Sequence, residues 1–322
     1  MHQLSRSLRS LLIFSALVAA LAFAFTPSYA QDQPAEAATT SNASVTTVVS
    51  VLGPNYSAPP AIGKSDITVY ERKDKRNVTG WVPAQGDKAN LELAIVIDEA
   101  VGTELGSQFG DLTKFINSLP STTSVGIYYA NNGTVQAASQ FNTDHAAVAK
   151  SLRLPIGNIG AYSSIYLSLM DLIKRWPVTG SRREILLIAD GIDRFRGDFP
   201  QSPDVQSTID RAQTAGILIH TLYASGVGRF GHSLFRVNMG QSNLSQIADE
   251  TGGESFFQGL QTPISFAPYL QNLDTVLKNQ YFLTFDMPRP KKGKGQLRTF
   301  RVRAEQKGVE FSAPTAVFVP GP

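Results

Sequence analysis

Hydrophobic and polar positions change rhythm twice along this 322-residue chain. From residue 44 to 90, β-branched runs (Val45 to Val51, Ile67 to Tyr70) alternate with turn signals such as Gly53-Pro54-Asn55 and the charged stretch Glu71 to Arg76. No helical period is present, so this part predicts β structure. From Leu91 onward, apolar runs at Leu91 to Ile97, Ser124 to Ala130, Glu184 to Ala189 and Gly216 to Tyr223 alternate with amphipathic segments. These runs carry few charges, as strands covered on both faces do.

Between the strands, Leu105, Phe109, Leu112, Ile116 and Leu119 recur at spacings of three and four, and so do Ile165, Leu169, Leu172 and Ile173. Such stripes mark helices docked on a sheet. Further helices are predicted at Asp204 to Ala215, Asn243 to Thr251 and Phe266 to Lys278, the first two closed by glycine, which supplies a left-handed cap. After Lys278 the β rhythm returns at Gln280 to Phe285, Leu297 to Ala304 and Val309 to Val319.

The pattern predicts an α/β fold: a Rossmann-like, mostly parallel central sheet flanked by helices over residues 91–278. An N-terminal β segment (44–90) and a C-terminal one (279–322) are expected to pair into a small β-sandwich-like module. At the start, Arg6 and Arg9 precede the apolar run Leu11 to Phe25, and small residues end at Ala30. Residues 1–30 read as a cleaved secretory signal, since about 15 apolar residues fall short of a membrane span. Residues 31–43 are small and polar, a flexible spacer. The expected location is therefore secreted or periplasmic, with no transmembrane segment after cleavage.

Composition sharpens this picture at two points. The chain has no cysteine, so disulfides and thiol chemistry are excluded and stability must come from packing. Removing residues 1–30 takes away two arginines and no acid, leaving 27 basic against 26 acidic side chains. That near-neutral balance speaks against a nucleic-acid partner. Basic residues do cluster at Arg289, Lys291, Lys292 and Lys294, a solvated hairpin tip on the bland reading and a contact for an anionic envelope surface on the sharper one.

The most informative chemical feature is Asp98, which ends the first parallel strand at the sheet edge where open α/β sheets bind ligands. His220 lies inside an apolar run and reads as a core residue. His145 and His232 have no zinc-like spacing to it. The glycine-rich stretch Ser225 to Ser242 does not follow the first strand of a βαβ unit, so it is expected to be a surface loop rather than a phosphate cradle.

Six segments in order resemble the von Willebrand factor type A (VWA) family in its secreted bacterial form: Ile95 to Asp98, Gly160 to Ile165, Leu186 to Gly191, Ala215 to Leu222, Leu244 to Gly253 and Leu277 to Tyr281. The resemblance covers roughly residues 60 to 319. It implies one adhesion-type site at the carboxyl ends of the central strands, used in that family mostly for protein binding. Carried over by position, Asp98, Ser163 and Asp190 match metal-site residues, and Ala100 and Gly102 stand where the family's D-x-S-x-S motif has serines. The implied site is thus a degenerate one, with at most a weak divalent cation such as Mg²⁺, Mn²⁺ or Ca²⁺. Glu99, Ser164 and Asp193 fall in the loops that would face a partner.

The expected function is a non-enzymatic, adhesion-type protein–protein interaction with a partner not identified by the sequence. Two alternatives stay open: an envelope scaffold assembled through the β flanks, and a hydrolase using Asp98 and Asp190 as acid and base.

Overall fold

A computed structural model describes residues 41–157, 163–196, 202–231 and 233–322. The signal expected over 1–30, most of the spacer, Gly160 to Tyr162 and His232 lie outside them. The first strand, β1 (Asn42–Leu52), begins within the stretch expected as spacer, because Ala43 is buried in the core. Next come β2 (Ile67–Glu71), β3 (Asp74–Arg76) and β4 (Val78–Pro83).

The α/β part runs β5 (Leu91–Asp98), α1 (Phe109–Ser118), β6 (Thr123–Asn131), β7 (Thr134–Asn142), α2 (His145–Ala149) and α3 (Ile165–Arg175). It continues through β8 (Arg182–Ala189), α4 (Pro203–Ala215), β9 (Ile217–Tyr223), α5 (Gly228–Gly231), α6 (Leu234–Thr251), β10 (Ser255–Phe256) and α7 (Ala267–Lys278). The chain closes with β11 (Gln280–Pro288), β12 (Gly295–Thr299), β13 (Arg301–Ala304), β14 (Glu310–Ser312) and β15 (Ala316–Pro320).

The central sheet has the order β10-β9-β8-β5-β6-β7. All neighbours in it are parallel except the edge strand β7, which pairs antiparallel with β6. The period-two geometry of a strand divides β5 between two cores. Leu93, Ile95 and Ile97 pack with Leu112 and Ile116 of α1 and Leu273 of α7. Ala94 and Val96 pack with Leu169 of α3, Ile209 of α4 and Ile247 of α6 on the other face. With both faces covered, the strands need no polar alternation.

The strands flanking this sheet in sequence pair with one another. β1 lies antiparallel to β11 from Asn42↔Pro288 to Ser50↔Gln280, and β2 pairs with β13. These antiparallel strands share a third core that includes Val45, Val49, Val69, Leu283, Phe285 and Val319. The stretch expected as one strand at Leu297 to Ala304 is two strands in separate sheets, broken at Phe300, whose side chain turns into that core.

A buried polar network joins the flanking sheets to the central one. His220 Nδ1 accepts the Glu254 N–H at 3.0 Å, so Nε2 carries the proton and donates to Glu184 at 2.8 Å. Gln280, the first residue of β11, donates to Glu184 at 3.2 Å and to Ser50 of β1 at 3.3 Å. Burial alone would raise the Glu184 carboxyl, but His220 and Arg182 hold it below the usual range. His220 is thus a satisfied core residue.

The glycine-rich stretch expected as a surface loop is mostly helical. α6 starts at Leu234, nine residues before the predicted Asn243, because Val237 and Gly240 face the sheet and extend the buried stripe. Among the described residues, no helix is long and apolar enough to cross a membrane.

Candidate functional site

The chain leaves β5 toward β6 on one side and later returns to β8 on the other. Neighbouring strands whose connections diverge open a crevice at their carboxyl ends, the ligand-binding position of open α/β sheets. Asp98 is the last residue of β5 and Asp190 directly follows β8, whose Ile188 is in register with Ile97. Topology therefore brings two carboxylates, distant in sequence, to one spot.

Each aspartate first organises its own turn. Asp98 Oδ1 accepts the Ala100 N–H at 2.9 Å, and Asp190 Oδ1 accepts the Ile192 N–H at 2.9 Å. This two-residue reach is the usual way aspartate fixes a chain reversal. Both side chains are withdrawn from solvent, Asp98 at 3% exposure and Asp190 at 0%.

A third residue, Arg194, completes the site and carries no motif of its own in the sequence. Arg194 Nη1 lies 3.1 Å from Asp190 Oδ1 while Nη2 donates to Oδ2, a two-point ion pair. Burial disfavours the arginine charge, but Asp190 and, less strongly, Asp98 hold its pKa above the ordinary value. The Asp98 carboxyl is pushed up to about 7, by burial first and by the Asp190 charge next, with Arg194 working against both. The only sequence signal was the four-residue spacing from Asp190 to Arg194, which also occurs in many exposed pairs.

The segment that resembles the metal motif is covered. Val227 N–H donates to Ala100 carbonyl at 2.8 Å, Gly102 N–H donates to Ser225 carbonyl at 3.0 Å, and Val101 forms an antiparallel bridge with Gly226. Gly226 packs so closely on the ion pair that a Cβ there would overlap the Asp190 carboxylate and the Arg194 guanidinium. A side chain at Gly102 would likewise overlap the Glu104 carboxylate.

The other sequence-predicted residues face inward. Ser163 is buried beside Ser164, and Ser164 caps α3. Glu99 pairs with Arg153 and accepts the Ile156 N–H at 2.7 Å. Asp193 accepts the N–H groups of Phe195 and Arg196 at 3.1 and 3.2 Å and the Ser202 hydroxyl at 2.8 Å. Glu99, Ser164 and Asp193 thus hold the loops in shape, and exposed neighbours form the outer surface.

That surface carries most of the exposed apolar side chains. Of the nine large hydrophobic side chains exposed among the described residues, seven lie at this edge: Leu154, Ile156, Phe195, Leu234, Phe235, Leu260 and Ile264. They come from four separate loops and helix starts. Between them lie clefts of about 480 Å³, lined by Glu104, Ser225, Leu234 and Leu260, and about 680 Å³, lined by Leu260, Ile264 and Tyr269.

The donors do not fit a resident divalent cation. Mg²⁺ asks for six oxygens and Ca²⁺ for six to eight. Ala100 and Gly102 offer no side-chain oxygen, Asp190 is engaged at both oxygens by Arg194, and Gly226 fills the space above it. Among the described residues, no group of three or more His, Asp or Glu is arranged to hold a metal.

Fold and site together define a Rossmann-like α/β unit with a charge-paired switch point and an apolar outer rim. No protein-family profile and no curated protein matches this chain. Several solved structures are similar at low identity. An aerotolerance-related membrane protein from Bacteroides fragilis aligns at 13% identity over 58% of this chain and 98% of that one, with a TM-score of 0.42. A von Willebrand factor type A protein from Catenulispora acidiphila aligns at 11% identity over 72% and 66%, also with 0.42. The pilus adhesin SpaC from Lactobacillus rhamnosus GG aligns at 10% identity over 80% and 48%, with 0.43.

Proposed function

We propose that this chain is a secreted or periplasmic, VWA-like protein-interaction protein without enzymatic activity, which binds a protein partner at the carboxyl edge of its central sheet. The observation that carries the reading is the clustering of seven exposed large apolar side chains around one edge. Exposed apolar side chains gathered at one edge in this way mark protein association sites, since isolated exposed leucines would scatter. Glu99, Ser164 and Asp193 support the partner-facing loops from beneath. The apolar run Leu11 to Phe25 supports export.

A hydrolytic role for Asp98 and Asp190 finds no support in the geometry. Both carboxylates are buried, and Asp190 lies beneath Gly226 and is held by Arg194. A general acid or base must reach its substrate within hydrogen-bond distance.

The test is cross-linking in the native envelope fraction with photoreactive groups at Leu234 and Ile264, compared with groups placed on β1 and β11. Adducts from the rim positions support the reading. Adducts confined to the β strands would replace it with a scaffold assembled through the flanks.

A further inference from the structure

We propose that Arg194 is the resident cation of this site, and that the chain engages its partner without a divalent metal ion. The proposal concerns how the site is built, and only its statement about the partner rests on the interaction reading above.

Three independent observations converge on it. The guanidinium sits on the Asp190 carboxylate in the two-point geometry that makes arginine–carboxylate pairs strong and directional. The two positions whose serines would bind a metal are an alanine and a glycine, and their backbone is consumed by the bridge to Ser225 to Val227. Gly226, the residue at the centre of that bridge, leaves no room above Asp190 for an ion and its water shell.

Charge accounting agrees. One guanidinium is held on both oxygens of Asp190 and supplies the positive charge that a bound ion would otherwise bring to this carboxylate. A tethered cation also differs from a diffusible one in kind: it cannot be removed by a chelator, and it offers no open coordination position for a partner's carboxylate. Recognition then falls to the apolar rim, in keeping with where the exposed side chains lie.

The experiment uses the full chain. Wild type, Arg194→Met, Asp190→Asn, the double variant and Asp98→Ala are titrated calorimetrically with Mg²⁺, Mn²⁺ and Ca²⁺, and their thermal midpoints are read with EDTA and with cation. A site of about 10 µM affinity would raise the midpoint by several degrees at about 1 mM cation. The expected result is no saturable heat and no such shift for wild type. Micromolar binding to wild type that Asp98→Ala abolishes would overturn the proposal.

The second readout is coupling. If Arg194 serves as counter-charge, Asp190→Asn recovers at least about tenfold of the folding equilibrium constant lost in Arg194→Met, because the buried carboxylate left without its partner is gone. Additive losses would mean that Arg194 is packing only, and would also overturn the proposal. Should Arg194→Met not fold, Arg194→Lys replaces it in the cycle. Partner cross-linking lost on adding EDTA refutes the metal-free claim while leaving the interaction reading intact. Cross-linking absent from the rim under all conditions refutes that reading and not the assignment of Arg194.

Discussion

Arg194 and Asp190 form a two-point ion pair in which the arginine side chain is 3% exposed and the aspartate side chain fully buried. A pair so far from water is expensive to assemble and more expensive to break. It pins the turn after β8 to the strand end, and the whole carboxyl edge is built around it.

Arg194→Met removes the positive member and leaves Asp190 buried beside Asp98. The expected loss is roughly 3 to 5 kcal/mol of folding free energy, the usual cost of orphaning one partner of a buried pair. Urea unfolding monitored by circular dichroism measures it. A loss below about 1 kcal/mol, the level of an exposed pair, would show that the pair is open to solvent.

The Asp98 carboxyl gives the protein a pH signature. Its pKa is raised above the ordinary carboxylate value, to about 7 in the native state. The native state therefore binds this proton more tightly than the unfolded chain, so the associated stability is present in acid and is lost as pH rises through about 7. Asp98→Asn, which can still accept the Ala100 N–H, should flatten the difference between pH 5.5 and 8.5 by an amount on the order of a few kcal/mol. Equal pH slopes in wild type and variant would exclude a raised Asp98.

Gly226→Ala adds one methyl group directly over the ion pair. The backbone at Gly226 is not in the left-handed region, so the penalty is steric. Overpacking of this kind costs about 1 to 3 kcal/mol. Chemical denaturation checks it, and hydrogen exchange at Val227, whose N–H is bonded to Ala100, should accelerate in the variant.

At the rim, Ile264 is 99% exposed and Leu234 is 62% exposed. Ile264→Ser and Leu234→Ser should each leave stability within about 0.5 kcal/mol of wild type. Together they should sharply reduce partner capture in quantitative pull-downs. Unchanged capture would move the interface elsewhere.

The seam between the sheets makes a separate prediction. His220→Leu removes the donor 2.8 Å from the buried Glu184 carboxylate. Glu184 titrates below its ordinary value, so its contribution is present above that range and is lost as pH falls through the native pKa. The variant should be weaker by roughly 3 kcal/mol at pH 7 and should lose part of the wild-type decline in stability below pH 4.5. Thermal midpoints across that range test both statements.

The parallel strands, the helices that cover them and the β character of both ends were legible in the sequence alone, because burial on both faces imposes an unbroken apolar run, as from Leu93 to Ile97, and docking on a sheet imposes a period near four, as from Ile165 to Ile173. The sequence also showed Asp98 at a strand end, followed by Ala100 and Gly102, which carry no side-chain oxygen. It could not show the edge strand β7, whose mostly exposed positions leave weak alternation, or the early start of α6, hidden among glycines. Above all, it could not show that Arg194 turns inward onto Asp190, or that Gly226 closes over both. Those facts depend on contacts between residues far apart in the chain, set when the sheet order places β8 beside β5 and brings the loop after β9 across the crevice. Local pattern reports which side chains seek burial. Only the assembled sheet decides which charge is buried with which.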